Sequence, residues 1–231
     1  LEELEEEVYR YQLKEVEIEA KKIFTPAQEK AYQKIKEGLD NDKVFLLHGV
    51  TGSGKTEIYL QLIEDVLDMG KTALVLVPEI SLTSQLTERF HKRFGHNIAV
   101  LHSGLSDAER YDEWRKILRE EVSIVIGARS AVFAPLKNIG IIIMDEEHSE
   151  SYKQENNPRY YALDIAKKRA GTHHCPVLLG SATPSLSSIA RAIKGVYQYV
   201  PLLERANQKK LPNILIVDMA LEVQNRHPIL S

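Results

Sequence analysis

Residues 49–56 read GVTGSGKT, and they decide the fold. Every required position of G-x-x-x-x-G-K-[ST] is met: Gly49, then Val50, Thr51, Gly52 and Ser53, then Gly54, Lys55 and Thr56. The motif has meaning only between a strand and a helix. Just upstream lies the apolar run VFLL (44–47). Downstream, over 55–69, Ile58, Tyr59, Leu62, Ile63, Val66 and Leu67 follow a three-to-four spacing, which predicts a helix with one apolar face. The glycines free the backbone to aim successive N–H groups at phosphate oxygens. The helix N-terminus adds about half a positive charge. Lys55 suits the β- and γ-phosphates of ATP, and Thr56 offers a hydroxyl to Mg2+.

Working outward, six more apolar runs follow: ALVLV (73–77), IAVL (98–101), VSIVI (122–126), IGIIIM (139–144), PVLLG (176–180) and ILIV (214–217). Helical patterns separate most of them, at 80–94, 106–119, 160–170 and 185–194. In 80–94, Leu82, Leu86, Phe90 and Phe94 repeat every four residues. Strands apolar on both faces and alternating with helices predict an α/β fold, a mostly parallel doubly wound sheet with helices on both faces.

The 231 residues are enough to bury a core, at 43% hydrophobic and 27% charged. Net charge is −3, so no global basic field marks a polyanion partner. The balance is uneven. Residues 1–22 hold eight Glu against four Lys/Arg, leaving the remainder at +1. That stretch is expected to be an acidic linker or arm, and 23–231 the domain proper. Cys175 is the single cysteine, so no intrachain disulfide forms and a cytoplasmic setting is expected. No run of about 18 apolar residues predicts a membrane span. His173, His174 and Cys175 are adjacent, a spacing that rarely fits one tetrahedral metal site. The chain opens LEELEEE without Met, and the expectation is a piece of a longer protein.

A magnesium ion on a triphosphate needs a second anchor, usually a carboxylate that ends a neighbouring strand. Asp145, after IGIIIM, is placed for it. Glu146 is the candidate to orient or deprotonate the attacking water. In FTPAQEKA (24–31), Thr25-Pro26 starts a helix and the Gln28 amide matches adenine's edge; a polar residue on a surface helix is the other reading.

TPxQ, GVTGSGKT, LVPEISL, GARSAVFAP, MDEEH and GSATPS stand in this order. The order resembles the first motor lobe of superfamily 2 helicases. DEEH (145–148), SYKQENNPRYYALD (151–164) and LGSATPSL (179–186) narrow the resemblance to the bacterial replication-restart helicases. It implies a RecA-like P-loop NTPase domain, the ATP-binding lobe of a 3′-5′ DNA helicase that uses ATP hydrolysis to move on single-stranded DNA in replication restart and primosome assembly. It implies as partners single-stranded and forked DNA, a second helicase lobe in cis, and primosome and single-strand-binding proteins. The full-length family carries zinc on many cysteines, which this chain lacks. The chain departs from the family at Tyr160-Tyr161-Ala162-Leu163, which loses a basic residue, and at Val217-Asp218-Met219-Ala220.

On this resemblance the loop after DEEH couples two sites. Asp145, Glu146 and His148 face the nucleotide. Tyr152, Lys153, Gln154, Arg159 and Tyr160 offer rings and cations to DNA, since bases stack on aromatic faces and Lys and Arg take phosphates. Tyr161 and Leu163 are expected to pack at the start of the next helix. Arg129 and Ser130, after a strand, are candidates for DNA contact. Ser181 and Thr183 are expected to bridge the acidic tetrad to the second lobe, with Ser185 as a helix N-cap. A nucleotide-gated binding module without turnover is the alternative; the Asp145-Glu146 pair favours the motor. A P-loop kinase would need an acceptor pocket and lid arginines, whereas the chain has GSATPS and the Tyr-rich loop.

Overall fold

A computed structural model describes residues 17–206. The expected strand ILIV (214–217), the VDMA departure and residues 1–16 of the arm lie outside the described residues. Chain order is α1 (Pro26–Lys36), β1 (Val44–Gly49), α2 (Lys55–Asp68), β2 (Thr72–Leu76), α3 (Ser84–Phe94), β3 (Ile98–Leu101), α4 (Asp107–Leu118), β4 (Ile124–Gly127), β5 (Ile139–Met144), β6 (Lys153–Gln154), β7 (Tyr160–Tyr161), α5 (Ala162–His173), β8 (Val177–Ser181), α6 (Leu186–Ile193) and β9 (Gln198–Leu202). Seven strands form one parallel sheet in the order β3-β4-β2-β5-β8-β1-β9, and β6 and β7 form a small antiparallel pair.

The strands are apolar throughout because both faces are covered. In β5, Ile141 and Ile143 join a core with residues of α1, α2 and α3, while Ile142 and Met144 join a second core with residues of α4 and α5. The Leu82, Leu86, Phe90 and Phe94 stripe lies on the first core. No described helix is long and apolar enough to cross a membrane.

Local chemistry explains where boundaries moved. The helix expected from residue 80 starts at Ser84, because the Thr83 side chain caps it by accepting from Leu86 N, after a 3-10 turn at Glu79–Ser81. The strand expected from 122 starts at Ile124, since Ser123 N donates to Asn97 Oδ1 at 2.6 Å. The helix expected from 160 starts at Ala162, because Tyr160 and Tyr161 pair with Gln154 and Lys153. Pro201 makes QYVPL a poor strand by sequence; β9 tolerates it as the edge strand beside β1.

The described end of the arm begins at residue 17. Residues 17–25 have no regular secondary structure and lie against α2 and α3. Glu19 N donates to the Lys92 carbonyl at 2.7 Å, Lys22 N to Glu57 Oε1 at 3.3 Å, and Gln61 Nε2 to the Lys22 carbonyl at 2.8 Å. Beneath them the buried Arg93 pairs with Glu57 and Glu64.

Candidate functional site

The phosphate loop bridges β1 and α2. Gly52 and Gly54 hold φ of 78° and 86°, a left-handed conformation that favours glycine. A β-carbon on Gly49 would lie 2.7 Å from Ser53 Oγ and 2.8 Å from Lys55 Cγ. Lys55 Nζ donates to the Gly49 carbonyl at 2.7 Å. Ser53 Oγ is buried with no hydrogen-bond partner. A cradle that admits only glycine, beside a cation and an unpartnered buried hydroxyl, fits a phosphate group. Thr51 is exposed and Thr56 is half-buried at the first turn of α2. The Val50 N–H, by contrast, is directed at the Leu202 carbonyl of β9 at 3.2 Å.

Gln28 lies beside the phosphate loop. Its side chain is 5% exposed, and both ends of its amide are bonded within the protein. Oε1 accepts from Thr25 N at 2.9 Å, closing the capping box of α1, and Nε2 donates to the Ser53 carbonyl at 2.8 Å. Gln28 ties α1 to the phosphate loop, and each end of its amide keeps one further hydrogen-bonding position.

Asp145 follows β5, and its N–H donates to the Leu76 carbonyl at 2.9 Å. Its Oδ1 accepts from the buried Tyr59 hydroxyl at 2.8 Å. Burial pushes the Asp145 carboxyl above its ordinary range, and the Tyr59 bond and the Lys55 charge pull it back down. Lys55 thus acts on the acidic motif across the sheet end. Glu146 is raised too, by burial first and then by Asp145, and its backbone is left-handed at φ 47°. His148 Nδ1 lies 2.8 Å from Ser181 Oγ and 3.6 Å from Glu146 Oε2. Ser181 Oγ also accepts from Thr183 N at 3.0 Å, while the Thr183 side chain is exposed.

Two residues that the sequence did not single out complete this network. Glu147, 1% exposed, accepts from Ser185 N at 2.7 Å, Ser185 Oγ at 3.2 Å and Ser188 Oγ at 3.0 Å. It fastens the acidic motif to the start of α6, where Ser185 is the N-cap. The three serines of α6's first turn were the available signal, since hydroxyls near a helix start need an acceptor. Tyr59 read only as one more apolar position of α2.

The Tyr152 expectation is corrected. The 3-10 turn Glu150–Tyr152 drives this ring fully into the core, and its hydroxyl lies 2.6 Å from the Asp145 carbonyl oxygen and 3.0 Å from that of Leu76. It is a support under the acidic motif with no face open to a base. Arg129 Nη1 donates to the Ser151 carbonyl at 3.1 Å and to that of Lys153, and its guanidinium lies 5.9 Å from the Tyr160 ring centre. Phe133 meets Tyr160 edge-on at 5.0 Å. Arg129 therefore binds the loop after the acidic motif. Lys153 and Arg159 are exposed cations, Arg159 Nε donating to the Glu155 carbonyl at 2.9 Å; Gln154 is half-buried and Ser130 exposed. Tyr161 is half-buried against the second core and Leu163 lies within it.

A parallel sheet with a phosphate loop after β1 and an acidic motif after β5 defines a RecA-like P-loop NTPase lobe. The chain belongs to the DEAD/DEAH box helicase family, whose sequence profile matches residues 25–192. It is 59% identical over 229 residues to the replication restart protein PriA of Bacillus subtilis, covering 97% of this chain and 28% of that protein. It is 51% identical over 205 residues to PriA of Synechocystis, covering 87% of this chain and 24% of the relative. The chain thus spans about a quarter of the length of these curated relatives. In fold it is similar to RecG bound to a three-way DNA junction, with a TM-score of 0.63 at 22% identity, covering 88% of this chain and 27% of RecG.

Proposed function

We propose that residues 23–231 are the first motor lobe of a 3′-5′ DNA helicase acting in replication restart and primosome assembly. Residues 1–22 lead into it, and a second lobe and a zinc site belong to other parts of the longer protein. The observation that carries this reading is the continuity of the acidic motif with both neighbours. Asp145 is bonded through Tyr59 to the phosphate-loop helix, and its carbonyl is held by Tyr152 at the head of the Tyr-rich loop.

When bound, ATP with Mg2+ supplies the phosphoryl group whose hydrolysis releases the free energy for movement. Lys55 and the loop N–H groups of residues 51, 52 and 54–56 bind phosphate, the Ser53 N–H being taken by the Val50 carbonyl at 3.0 Å. Thr56 and Asp145 hold the metal. Glu146, its carboxyl raised above the ordinary range by burial and then by Asp145, orients or deprotonates the attacking water. His148 and Ser181 report its position to Thr183 and onward to the second lobe. Lys153 and Arg159 take phosphates of single-stranded or forked DNA, and Arg129 holds their loop in register with the sheet. Primosome and single-strand-binding proteins are the proposed protein partners, in a cytoplasmic setting.

The test is ATP turnover with and without single-stranded DNA, beside calorimetric ATP binding. Binding without turnover is the expected result, because arginines of the second lobe complete such sites. Lys55→Ala removes binding while the domain stays folded. Unchanged affinity in that variant overturns the phosphate assignment, and DNA-stimulated turnover by this chain alone overturns the need for a second lobe.

A further inference from the structure

Residues 17–25 reach the nucleotide site through one side chain, Glu57. This carboxylate follows Thr56 in the first turn of α2 and is 6% exposed. Its Oε1 accepts from Lys22 N at 3.3 Å and from Gln61 Nε2 at 3.1 Å. The same Gln61 amide donates to the Lys22 carbonyl at 2.8 Å. Both backbone polar groups of Lys22 are thus held by α2.

A second arrangement is open to Glu57. Arg93 of α3 is buried, its Nε is taken by Glu64, and its Nη2 makes no hydrogen bond among the described residues. That Nη2 lies 3.6 Å from Glu57 Oε1, an ion pair too long for a hydrogen bond. A buried donor left open is costly, and a short movement of Glu57 closes it. The segment that competes with Arg93 is built to let go. Ile23 is 98% exposed and Ile18 63% exposed, and residues 17–23 have no regular secondary structure, so polar contacts hold them. Each such contact is weak in net terms, because water replaces it.

We propose that Glu57 is a positioning residue for the metal end of the nucleotide site, and that residues 17–25 set its position. Docked, the segment takes up Glu57 and keeps Thr56 where Mg2+ needs it. Lifted, it leaves Glu57 to Arg93, and the first turn of α2 shifts toward α3. Tyr59, three residues after Thr56, is bonded to Asp145, so the shift reaches both metal anchors. Whatever moves the chain ahead of residue 17 thereby tunes the affinity for Mg·ATP. The inference rests on the nucleotide-binding reading above and adds its regulation.

Linkage makes the coupling reciprocal: if docking favours Mg·ATP, Mg·ATP favours docking. Hydrogen exchange followed by mass spectrometry reads this, because the Glu19 and Lys22 N–H groups are bonded only while the segment is docked. Saturating Mg·ATP should slow exchange across residues 19–25 by about 5-fold or more, and ATP in EDTA should not. Gln61→Ala, which frees the Lys22 carbonyl, should speed exchange without nucleotide. In calorimetry the same variant should bind Mg·ATP more weakly and metal-free ATP as wild type does, whereas a role in packing alone lowers both affinities together. Unchanged exchange with Mg·ATP bound, equal protection by metal-free ATP, or equal affinity losses in Gln61→Ala overturns the inference and leaves the nucleotide site standing. No ATP binding in either condition overturns both.

Discussion

At Gly180 a β-carbon would sit 1.7 Å from the Tyr59 hydroxyl oxygen and 3.0 Å from Asp145 Oδ1. Glycine is required there so that a tyrosine of the phosphate-loop helix can reach a carboxylate two strands away. Gly180→Ala is expected to cost more than about 2 kcal/mol, as overpacking does in a tight core. The loss should shrink when Tyr59→Phe removes the clashing hydroxyl, and thermal unfolding of the single and double variants measures that coupling. Asp145 gives a second prediction. Its carboxyl is raised in the fold, so in metal-free solution the folded chain holds its proton more tightly than the unfolded chain. Stability from this group is therefore present at low pH and lost as pH rises from the ordinary Asp value through the raised one. Asp145→Asn should stabilise the metal-free lobe at pH 7, with the gain fading toward pH 4, while Mg·ATP binding falls. A variant less stable than wild type at pH 7 would refute this. At this scale the sequence disclosed residues with a fixed motif, Lys55 and Asp145 among them. It hid Tyr59 and Glu147, whose roles depend on partners in other elements and have no spacing of their own.

The hairpin β6-β7 shows how an element can invert a reading of its residues. By sequence, SYKQENNPRYY offers several rings at the surface. A single 3-10 turn buries the first of them, and strand pairing leaves Tyr160 and Tyr161 half-covered. The loop's exposed charges are thus Lys153 and Arg159 beside Glu155, with no ring fully exposed. Tyr152→Phe should leave DNA affinity unchanged and cost about 1 kcal/mol of stability for its lost hydroxyl bonds. Lys153→Ala with Arg159→Ala should weaken single-stranded DNA binding and flatten its salt dependence. DNA affinity over a salt series checks both variants, and the opposite pattern would restore the stacking role to Tyr152. The strands and helices themselves were legible, because buried strands and amphipathic helices leave different periods. Their ends moved where a cap such as Thr83 or a side-chain acceptor such as Asn97 Oδ1 competed for a backbone N–H. β9 was not among the expected strands, and Pro201 interrupts its apolar residues.

For the whole molecule, residues 17–25 are tied to the surface of the body by hydrogen bonds. The expectation was an acidic linker or arm, and its described residues run along α2 and α3 over a buried ionic cluster. Composition averages a segment and cannot register three backbone bonds. Deleting residues 1–22 should lower stability by roughly 1–3 kcal/mol from the lost bonds, read as a shift in the urea midpoint. An unchanged midpoint would return the segment to solvent. The other flank of the described body arrives at the same place, since Ala206 N donates to the Gly52 carbonyl at 3.0 Å. Both flanks therefore converge on the loop that carries Lys55, one through Glu57 and one through Gly52. Tension applied between them would load that loop together with edge strand β9, so grip on nucleotide would change as soon as the lobe is pulled at its flanks.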